Sequence, residues 1–188
     1  MIGHGGPGRQ PPQDYRRYAV SPYRARAAAD GRTNGTMRER PDGDDRLAEF
    51  VAAWQRLRIA SAVPGTVVVV EGERDRRSVA RLGLPGPVAV LHAGHSLGET
   101  AQELVRRHRR VVLLTDWDTE GGHLAHRLEE FLAADRVELD LETRRRIARV
   151  LRGEVVHVEG LYGWARRLAE SEGVEIERRL DDDDPPTG

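Results

Sequence analysis

The 188-residue sequence contains no cysteine, and this absence excludes disulfide bonds and cysteine-ligated zinc sites. It also contains no lysine, so all 30 basic residues are arginine, whose planar group suits bidentate contacts with phosphate. No apolar run approaches the length of a membrane span, and the N-terminus lacks the apolar core of a signal peptide. We therefore expect a soluble, cytoplasmic protein without a membrane partner.

A strong excess of basic charge is also missing, because the formal net charge is −1. The protein thus lacks the global positive field that often accompanies nucleic-acid binding. Its length suits one domain with tails. Any nucleic-acid contact must come from a local site or from one segment of the chain.

Composition separates two ends from the middle of the chain. Residues 1–42 are rich in glycine, proline and arginine, which predicts a disordered basic N-terminal arm. Eight arginines interleaved with Tyr15, Tyr18 and Tyr23 suit contacts with phosphates and bases, but a passive extension, or a true start at Met37, explains them as well. Residues 173–188 end in "LDDDDPPTG" and predict an acidic tail.

Apolar periodicity in the middle of the chain predicts an α/β protein with a parallel sheet of about four strands flanked by helices. Strands are predicted where β-branched and apolar residues cluster, at residues 66–72, 87–94, 111–116 and 154–160. Helical spacing predicts an N-terminal helix within residues 43–65, a C-terminal helix within residues 161–172, and helices at 74–83, 96–108, 120–134 and 142–153.

The stretch "VVLLTDWDTEGG" ends a predicted strand with acids at alternate positions, Asp116, Asp118 and Glu120. Glu71 ends another predicted strand, and the carboxyl ends of parallel strands share the edge where ligands bind. Crowded carboxylates repel one another unless a cation lies among them, and oxygen ligands suit Mg²⁺ or Mn²⁺. These four acids therefore predict a metal site. Helix capping alone would require only one of them.

Several groups near this edge are candidates for holding phosphate. Backbone N–H groups at a helix N-terminus bind anions, which makes Gly121 and Gly122 candidates. The others are Arg74, Arg76 and Arg77 after Glu71, and His92, His95 and Ser96 after the second strand. For the arginines, an exposed helix face is an equally good explanation.

The motifs "VVVVEGERD" and "LLTDWDTEG", each at a strand end, resemble the Toprim domain over residues 66–160. This Rossmann-like domain occurs in topoisomerases, bacterial-type primases and several nucleases. The resemblance implies that Glu71 is the general acid/base and that Asp116 and Asp118 carry the metal, with Glu120 as a third acid. It also implies that Gly72 allows a tight turn. Asp75 matches a frequent family acid, or simply caps a helix.

The chain is most similar to small single-domain Toprim proteins found mainly in archaea and, over the core, to the ribonuclease that matures five-S ribosomal RNA. Topoisomerase and primase activities are not expected, because they need further catalytic domains. A RecR-type recombination mediator is not expected either, because its zinc finger needs cysteine.

The resulting prediction is Mg²⁺-dependent phosphodiester chemistry on nucleic acid, as a nuclease or nucleotidyl transferase, with RNA expected ahead of DNA. One alternative is a non-catalytic, metal-dependent nucleic-acid-binding module. Another is a subunit of a larger RNA-processing or DNA-repair complex. Its protein partner would dock on the helix of Trp54 or of Trp164, although both aromatics also suit a core.

Overall fold

The computed structural model describes residues 43–133 and 135–181, so the predicted N-terminal arm lies outside the described residues. Four strands and seven α-helices alternate along these residues, with one 3₁₀ turn at Val158–Gly160. The strands are β1 (Thr66–Val70), β2 (Val88–Val90), β3 (Arg110–Leu113) and β4 (Glu138–Asp140). The helices are α1 (Gly43–Ala62), α2 (Glu73–Arg81), α3 (Leu97–Arg107), α4 (Thr119–Leu132), α5 (Glu142–Leu151), α6 (Leu161–Ser171) and α7 (Ile176–Asp181).

The four strands form one parallel sheet in the order β2-β1-β3-β4. This confirms the predicted α/β class, the Rossmann-like arrangement and the number of strands. The chain moves from β1 outward to β2 and then returns to place β3 on the other side of β1. The strand order therefore reverses between β1 and β3, and ligands of parallel α/β sheets bind at such a point.

Helices cover both faces of the sheet, which explains the unbroken run of valines in β1. Side chains alternate along a strand, so Val68 and Val70 point to one face while Val67 and Val69 point to the other. The first face packs against α1, α2, α5, α6 and α7, and the second packs against α3 and α4. Every residue of β1 is consequently buried.

The apolar stripe of α1 packs entirely into the first core. Leu47, Phe50, Trp54 and Leu57 are at most 1% exposed, and the indole Nε1 of Trp54 donates to the Leu82 carbonyl at 2.8 Å. Trp164 of α6 is also buried. Both tryptophans therefore belong to the core rather than to a docking face. Among the described residues, no helix is long and apolar enough to cross a membrane.

The position of the fourth strand was predicted wrongly. The edge strand is β4, in which Leu139 packs inward beside the flanking Val137 and Leu141. Residues 154–160 instead form a loop and the 3₁₀ turn, and they meet the end of β3 through a bond from Trp117 N to the Val156 carbonyl, 2.8 Å long. This segment crosses the carboxyl edge of the sheet and does not pair with it as a strand.

The predicted acidic tail begins later than expected. Residues 176–181 form α7, in which Ile176 and Leu180 are buried against the first core. Two apolar residues four positions apart on one helix face explain this packing. The prediction of a solvated tail over residues 173–188 is therefore wrong for α7, and residues 182–188 lie outside the described residues.

Candidate metal and phosphodiester site

Asp116 and Asp118, which follow β3, are positioned by the tryptophan between them. Trp117 is buried in the first core, and its indole Nε1 donates to the Arg144 carbonyl at 3.0 Å. The neighbouring Asp116 and Asp118 both direct their carboxylates towards His157, with Oδ2 atoms 2.8 Å and 3.8 Å from its Nδ1. In the sequence "DWD", the buried tryptophan therefore anchors the segment, and the carboxylates on either side of it both belong to one cluster.

Asp116, Asp118 and His157 form the one candidate metal cluster found in the described part of the chain. One ligand atom from each lies within 4.8 Å of the others. The Nδ1 of His157 is 2.8 Å from Asp116 Oδ2 and 3.8 Å from Asp118 Oδ2. Val158 N donates to Asp116 Oδ1 at 2.8 Å, which fixes that carboxylate against the 154–160 segment. Two carboxylates and one imidazole are a suitable donor set for a divalent cation.

His157 is the site residue that the sequence analysis missed. It lies in the segment that was predicted as a strand, where a single histidine among valines carries no signal of metal binding. Its hydrogen bond to Asp116 is the main cause that raises its pKa, with added attraction from Asp116 and Asp118. The neighbouring carboxylates therefore favour the protonated, positively charged form of this imidazole over that of an ordinary histidine.

Glu71 reaches the same cluster from the end of β1. Its Oε1 accepts a hydrogen bond from Asp116 N at 2.9 Å, which joins the ends of the two central strands. Burial is the largest cause that raises its pKa to about 7, and the charges of Asp116, Asp118 and Asp75 raise it further against the Asp116 N–H bond. A carboxyl group with this pKa can both give and take a proton near neutral pH.

The raised pKa predicts a stability difference that depends on pH. In the metal-free protein, the contribution of Glu71 to stability is complete below its ordinary pKa of 4.5 and is lost as pH rises through about 7. Glutamine does not ionise, so Glu71→Gln should have a higher melting temperature than wild type at about pH 8.5. The gap between the two melting temperatures should narrow as the pH falls towards about 5. Thermal melts in EDTA would check this, and a gap that is constant with pH would contradict it.

A buried cation lies beneath the acids. Arg144 of α5 is 2% exposed, and it donates to the backbone carbonyls of Thr115, at 3.1 Å, and of Asp116. Burial lowers its pKa to about 10, against the attraction of Glu71, Asp116 and Asp118, so it remains charged at neutral pH. The three carboxylates are thus partly balanced from inside the protein.

The two glycines after Asp118 do not offer free N–H groups, so their predicted role in binding phosphate is wrong. Gly121 N donates to Asp118 Oδ1 at 2.8 Å, and Gly122 N donates to the Asp118 carbonyl at 3.1 Å. Glycine is needed at 121 for another reason. A Cβ there would lie 2.2 Å from the Asp116 carbonyl oxygen and 2.7 Å from Glu71 Oε1. The absent side chain lets α4 begin directly behind Glu71.

The residues that follow Glu71 act at the start of α2. Gly72 has φ −136°, an extended conformation open to any residue, so the predicted glycine-dependent turn is wrong. Its N–H donates to Asp75 Oδ2 at 2.8 Å, and Asp75 therefore caps α2, as its second interpretation proposed. The pKa of Asp75 is raised chiefly by burial.

The remaining predicted residues are spread over four places. Arg74, Arg77 and His92 line the same depression as Glu71, Asp116 and His157. Arg76 points elsewhere and pairs with Glu73. His95 lines a different depression beside α3, and Ser96 caps α3 in a capping box with Glu99. Glu120 lies exposed in the first turn of α4, outside the three-residue cluster.

Comparison with known proteins agrees with this geometry. The sequence model of the Toprim domain matches residues 66–150. A UPF0292 protein of Methanosarcina acetivorans is 32% identical over 114 residues, which cover 61% of this chain and 78% of that protein. A UPF0292 protein of Pyrococcus furiosus is 35% identical over 96 residues, covering 51% and 71%. A solved structure, titled a putative protein from Aquifex aeolicus, has a TM-score of 0.49 and 24% identity over 60% of this chain and 95% of its own.

The Toprim match and the UPF0292 relatives confirm the predicted resemblance to small archaeal Toprim proteins. Toprim domains bind divalent metals and have functions related to nucleic acid, and Asp116, Asp118 and His157 form a cluster that could hold a metal ion. The chain belongs to the UPF0292 family of Toprim-domain proteins.

Proposed function

We propose that this protein carries out phosphodiester chemistry on nucleic acid with Mg²⁺ or Mn²⁺, by cleavage or transfer, and with RNA ahead of DNA. One observation carries the proposal. The carboxyl group of Glu71, with a pKa near 7, is hydrogen-bonded to the backbone of Asp116, whose side chain belongs to the metal cluster. A site that only held a metal would have no use for this proton-transfer group. The preference for RNA rests on the resemblance of the core to the five-S maturation ribonuclease.

The proposed roles divide between the metal ligands and Glu71. Asp116, Asp118 and His157 would hold the cation, which when bound supplies a Lewis acid for the phosphoryl oxygen. Glu71 would take a proton from the attacking hydroxyl or give one to the leaving oxygen. Its backbone carbonyl accepts a hydrogen bond from His92 N at 3.0 Å, while Gly121 leaves room for its carboxylate. Arg144 keeps the carbonyl of Asp116 in place from below.

The donor set also bears on the choice of metal. Mg²⁺ favours oxygen ligands and retains several waters, whereas imidazole suits the later divalent metals. A site with His157 beside two carboxylates should therefore bind Mn²⁺ more tightly than Mg²⁺. Both ions remain candidates for activity, because the carboxylates alone can hold Mg²⁺.

The metal ligands can be tested by Mn²⁺ calorimetry. We expect Asp116→Asn with Asp118→Asn to abolish measurable binding, and His157→Gln to weaken it on the order of tenfold, which corresponds to about 1.4 kcal/mol. Mn²⁺ should raise the melting temperature of wild type but not of the double variant, because only the native state forms the site. His123→Gln is the matched control, since His123 is exposed on α4 outside the cluster. Equal Mn²⁺ affinity in all four proteins would refute the assignment.

The proposed reaction can be tested with structured RNA, single-stranded DNA and duplex DNA, each incubated with Mg²⁺, Mn²⁺ or EDTA. We expect metal-dependent cleavage or transfer, greatest on RNA. Asp118→Asn should lose activity and recover part of it in excess Mn²⁺. If wild type binds one of these substrates but transforms none of them, the enzyme proposal fails. A non-catalytic nucleic-acid-binding module would then take its place.

A further inference from the structure

A basic groove adjoins the metal cluster and extends from the depression that holds Glu71. It lies between α2 and α6, has a volume of about 510 Å³, and is lined by Arg74, Arg77, Arg81 and Arg166 with a single acid, Glu159. The depression that holds Glu71 and Asp116 shares Arg74, Arg77 and Glu159 with this groove. The two are therefore continuous, and a strand that passes over the metal cluster can enter the groove directly.

Two arginines of this groove are available to bind an anion. Arg77 and Arg81 are exposed and lie four residues apart on α2, so their backbone positions are separated by about 6 Å along the helix. Within the described residues, neither forms an ion pair with a carboxylate; Arg77 makes only a long bond, of 3.4 Å, to the Glu73 carbonyl. By contrast, Arg76 on the same helix is neutralised by Glu73.

Arg81 is held in a conformation that suits phosphate binding. Its guanidinium lies over the ring of Tyr162, 5.4 Å from the centroid. The ring is itself fixed, because its hydroxyl donates to Glu177 Oε1 at 2.7 Å and its backbone N donates to the Ser78 hydroxyl at 3.3 Å. A guanidinium held over an aromatic face by cation–π attraction can still direct its N–H groups to two phosphate oxygens. Tyr162 is thus a positioning residue for Arg81.

The charge distribution explains why the site needs such a groove. The metal cluster is acidic, and the net charge of the chain is −1, so neither attracts a polyanion. Arg74 of the groove lies 3.7 Å from Glu159 and Arg166 lies 3.4 Å from Glu170, so among the described residues Arg77 and Arg81 supply the unpaired positive charge beside the metal cluster. From Arg74 to Arg81 the helix rises about 10 Å, close to the rise of three stacked nucleotides at about 3.4 Å each.

We propose that the α2–α6 groove binds the phosphate backbone of a single nucleic-acid strand on one side of the scissile phosphate, with Arg77 and Arg81 as its anchors. This proposal rests on the proposed function, because it supplies the binding track for the same site. It extends that function by naming a single-stranded stretch of at least three nucleotides as the substrate element that the protein recognises.

The test is fluorescence anisotropy with labelled single-stranded RNA and with duplex RNA, in EDTA so that no turnover occurs. Arg77→Gln with Arg81→Gln should weaken single-strand binding on the order of tenfold or more and reduce the steepness of its salt dependence by about 1.4, because two fewer phosphates are neutralised. The control is Arg106→Gln with Arg107→Gln on α3, at the other face of the sheet, where both arginines pair with Glu103. The control should change affinity by no more than about twofold.

A second pair of variants tests the role of Tyr162. Tyr162→Phe keeps the ring under Arg81 and should bind RNA nearly as wild type does, whereas Tyr162→Leu removes the aromatic face and should weaken binding in the same direction as loss of Arg81. Circular-dichroism melts of each variant show whether it is folded. If Tyr162→Leu does not fold, the arginine pair still decides the proposal, because both of its side chains are exposed.

The outcomes distinguish failure of the groove proposal from failure of the proposed reaction. The groove proposal is overturned if the arginine pair binds single-stranded RNA as the control does, with the same salt dependence, or if the loss is confined to duplex RNA. If wild type cleaves nothing but the arginine pair loses RNA binding, the proposed reaction fails and the groove stands. If wild type cleaves RNA and the arginine pair does so with unchanged KM, the reaction stands and the groove does not.

Discussion

Replacing Glu71 with glutamine should reduce the rate of phosphodiester cleavage or transfer by a factor on the order of 100 or more. Glutamine keeps the size of the side chain, and its amide oxygen can still accept the hydrogen bond that Asp116 N donates to Glu71 Oε1. What it loses is the ability to exchange a proton with the reacting oxygen. Affinities for Mn²⁺ and for RNA should therefore stay within about twofold of wild type.

Single-turnover rates, measured beside Mn²⁺ calorimetry and RNA anisotropy on the same preparations, would check this expectation. Glu49→Gln is the control, since Glu49 is exposed on α1 and does not line the depression that holds Glu71. It should leave the rate nearly unchanged. If Glu71→Gln loses metal or RNA binding together with activity, Glu71 supports the structure of the site rather than proton transfer. If Glu71→Gln retains activity, Glu71 takes no part in the reaction.

Replacing Arg144 with methionine should destabilise the metal-free protein by about 3–5 kcal/mol, the usual cost of removing one partner from a buried charge network. Methionine fills a similar volume but leaves the carbonyls of Thr115 and Asp116 without their donor. It also removes the positive charge beneath Glu71, Asp116 and Asp118. For a protein of this size, the melting temperature should fall by about 10 °C.

Denaturant titration in EDTA would measure the free energy of unfolding of this variant. Arg146→Met is the control on the same helix, because Arg146 is exposed and lies 3.3 Å from Glu142; such surface pairs contribute about 0–1 kcal/mol. Mn²⁺ should restore part of the stability of Arg144→Met, since a bound cation would balance the same carboxylates from the other side. Equal losses in the two variants would show that Arg144 does not balance the acids.

The features that sequence could predict are those that short-range patterns encode. Four consecutive valines before Glu71 and four apolar residues before Thr115 indicate buried strands, and parallel pairing then places Glu71 beside Asp116. The capping box of Ser96 and Glu99 was likewise readable from its spacing. The edge strand β4 was also encoded, in the alternation of "VELDL" at residues 137–141, but three paired residues are a weak signal beside the apolar run in residues 154–160.

The features that sequence could not predict arise from contacts between distant segments. His157 enters the site because residues 154–160 cross the end of β3, where Val158 N meets Asp116, 42 positions away in the chain. Arg144 resembles its neighbours in the run of arginines at 144–146, and only the packing of α5 turns it inward. The N–H groups of Gly121 and Gly122 were expected to be free, because their bonds to Asp118 depend on its side chain and on the local backbone geometry.

The most direct test of a metal-dependent site with Glu71 as its acid/base is the rate of RNA cleavage as a function of Mn²⁺ concentration. The titration should use wild type and Glu71→Gln, together with Asp116→Asn combined with Asp118→Asn. The wild-type rate is expected to saturate at the Mn²⁺ concentrations at which calorimetry shows the site filling. Glu71→Gln should remain at least about 100-fold slower at saturation, and the aspartate double variant should show no saturation in this range. Cleavage by wild type in EDTA, or an equal saturating rate in Glu71→Gln, would contradict the proposed mechanism.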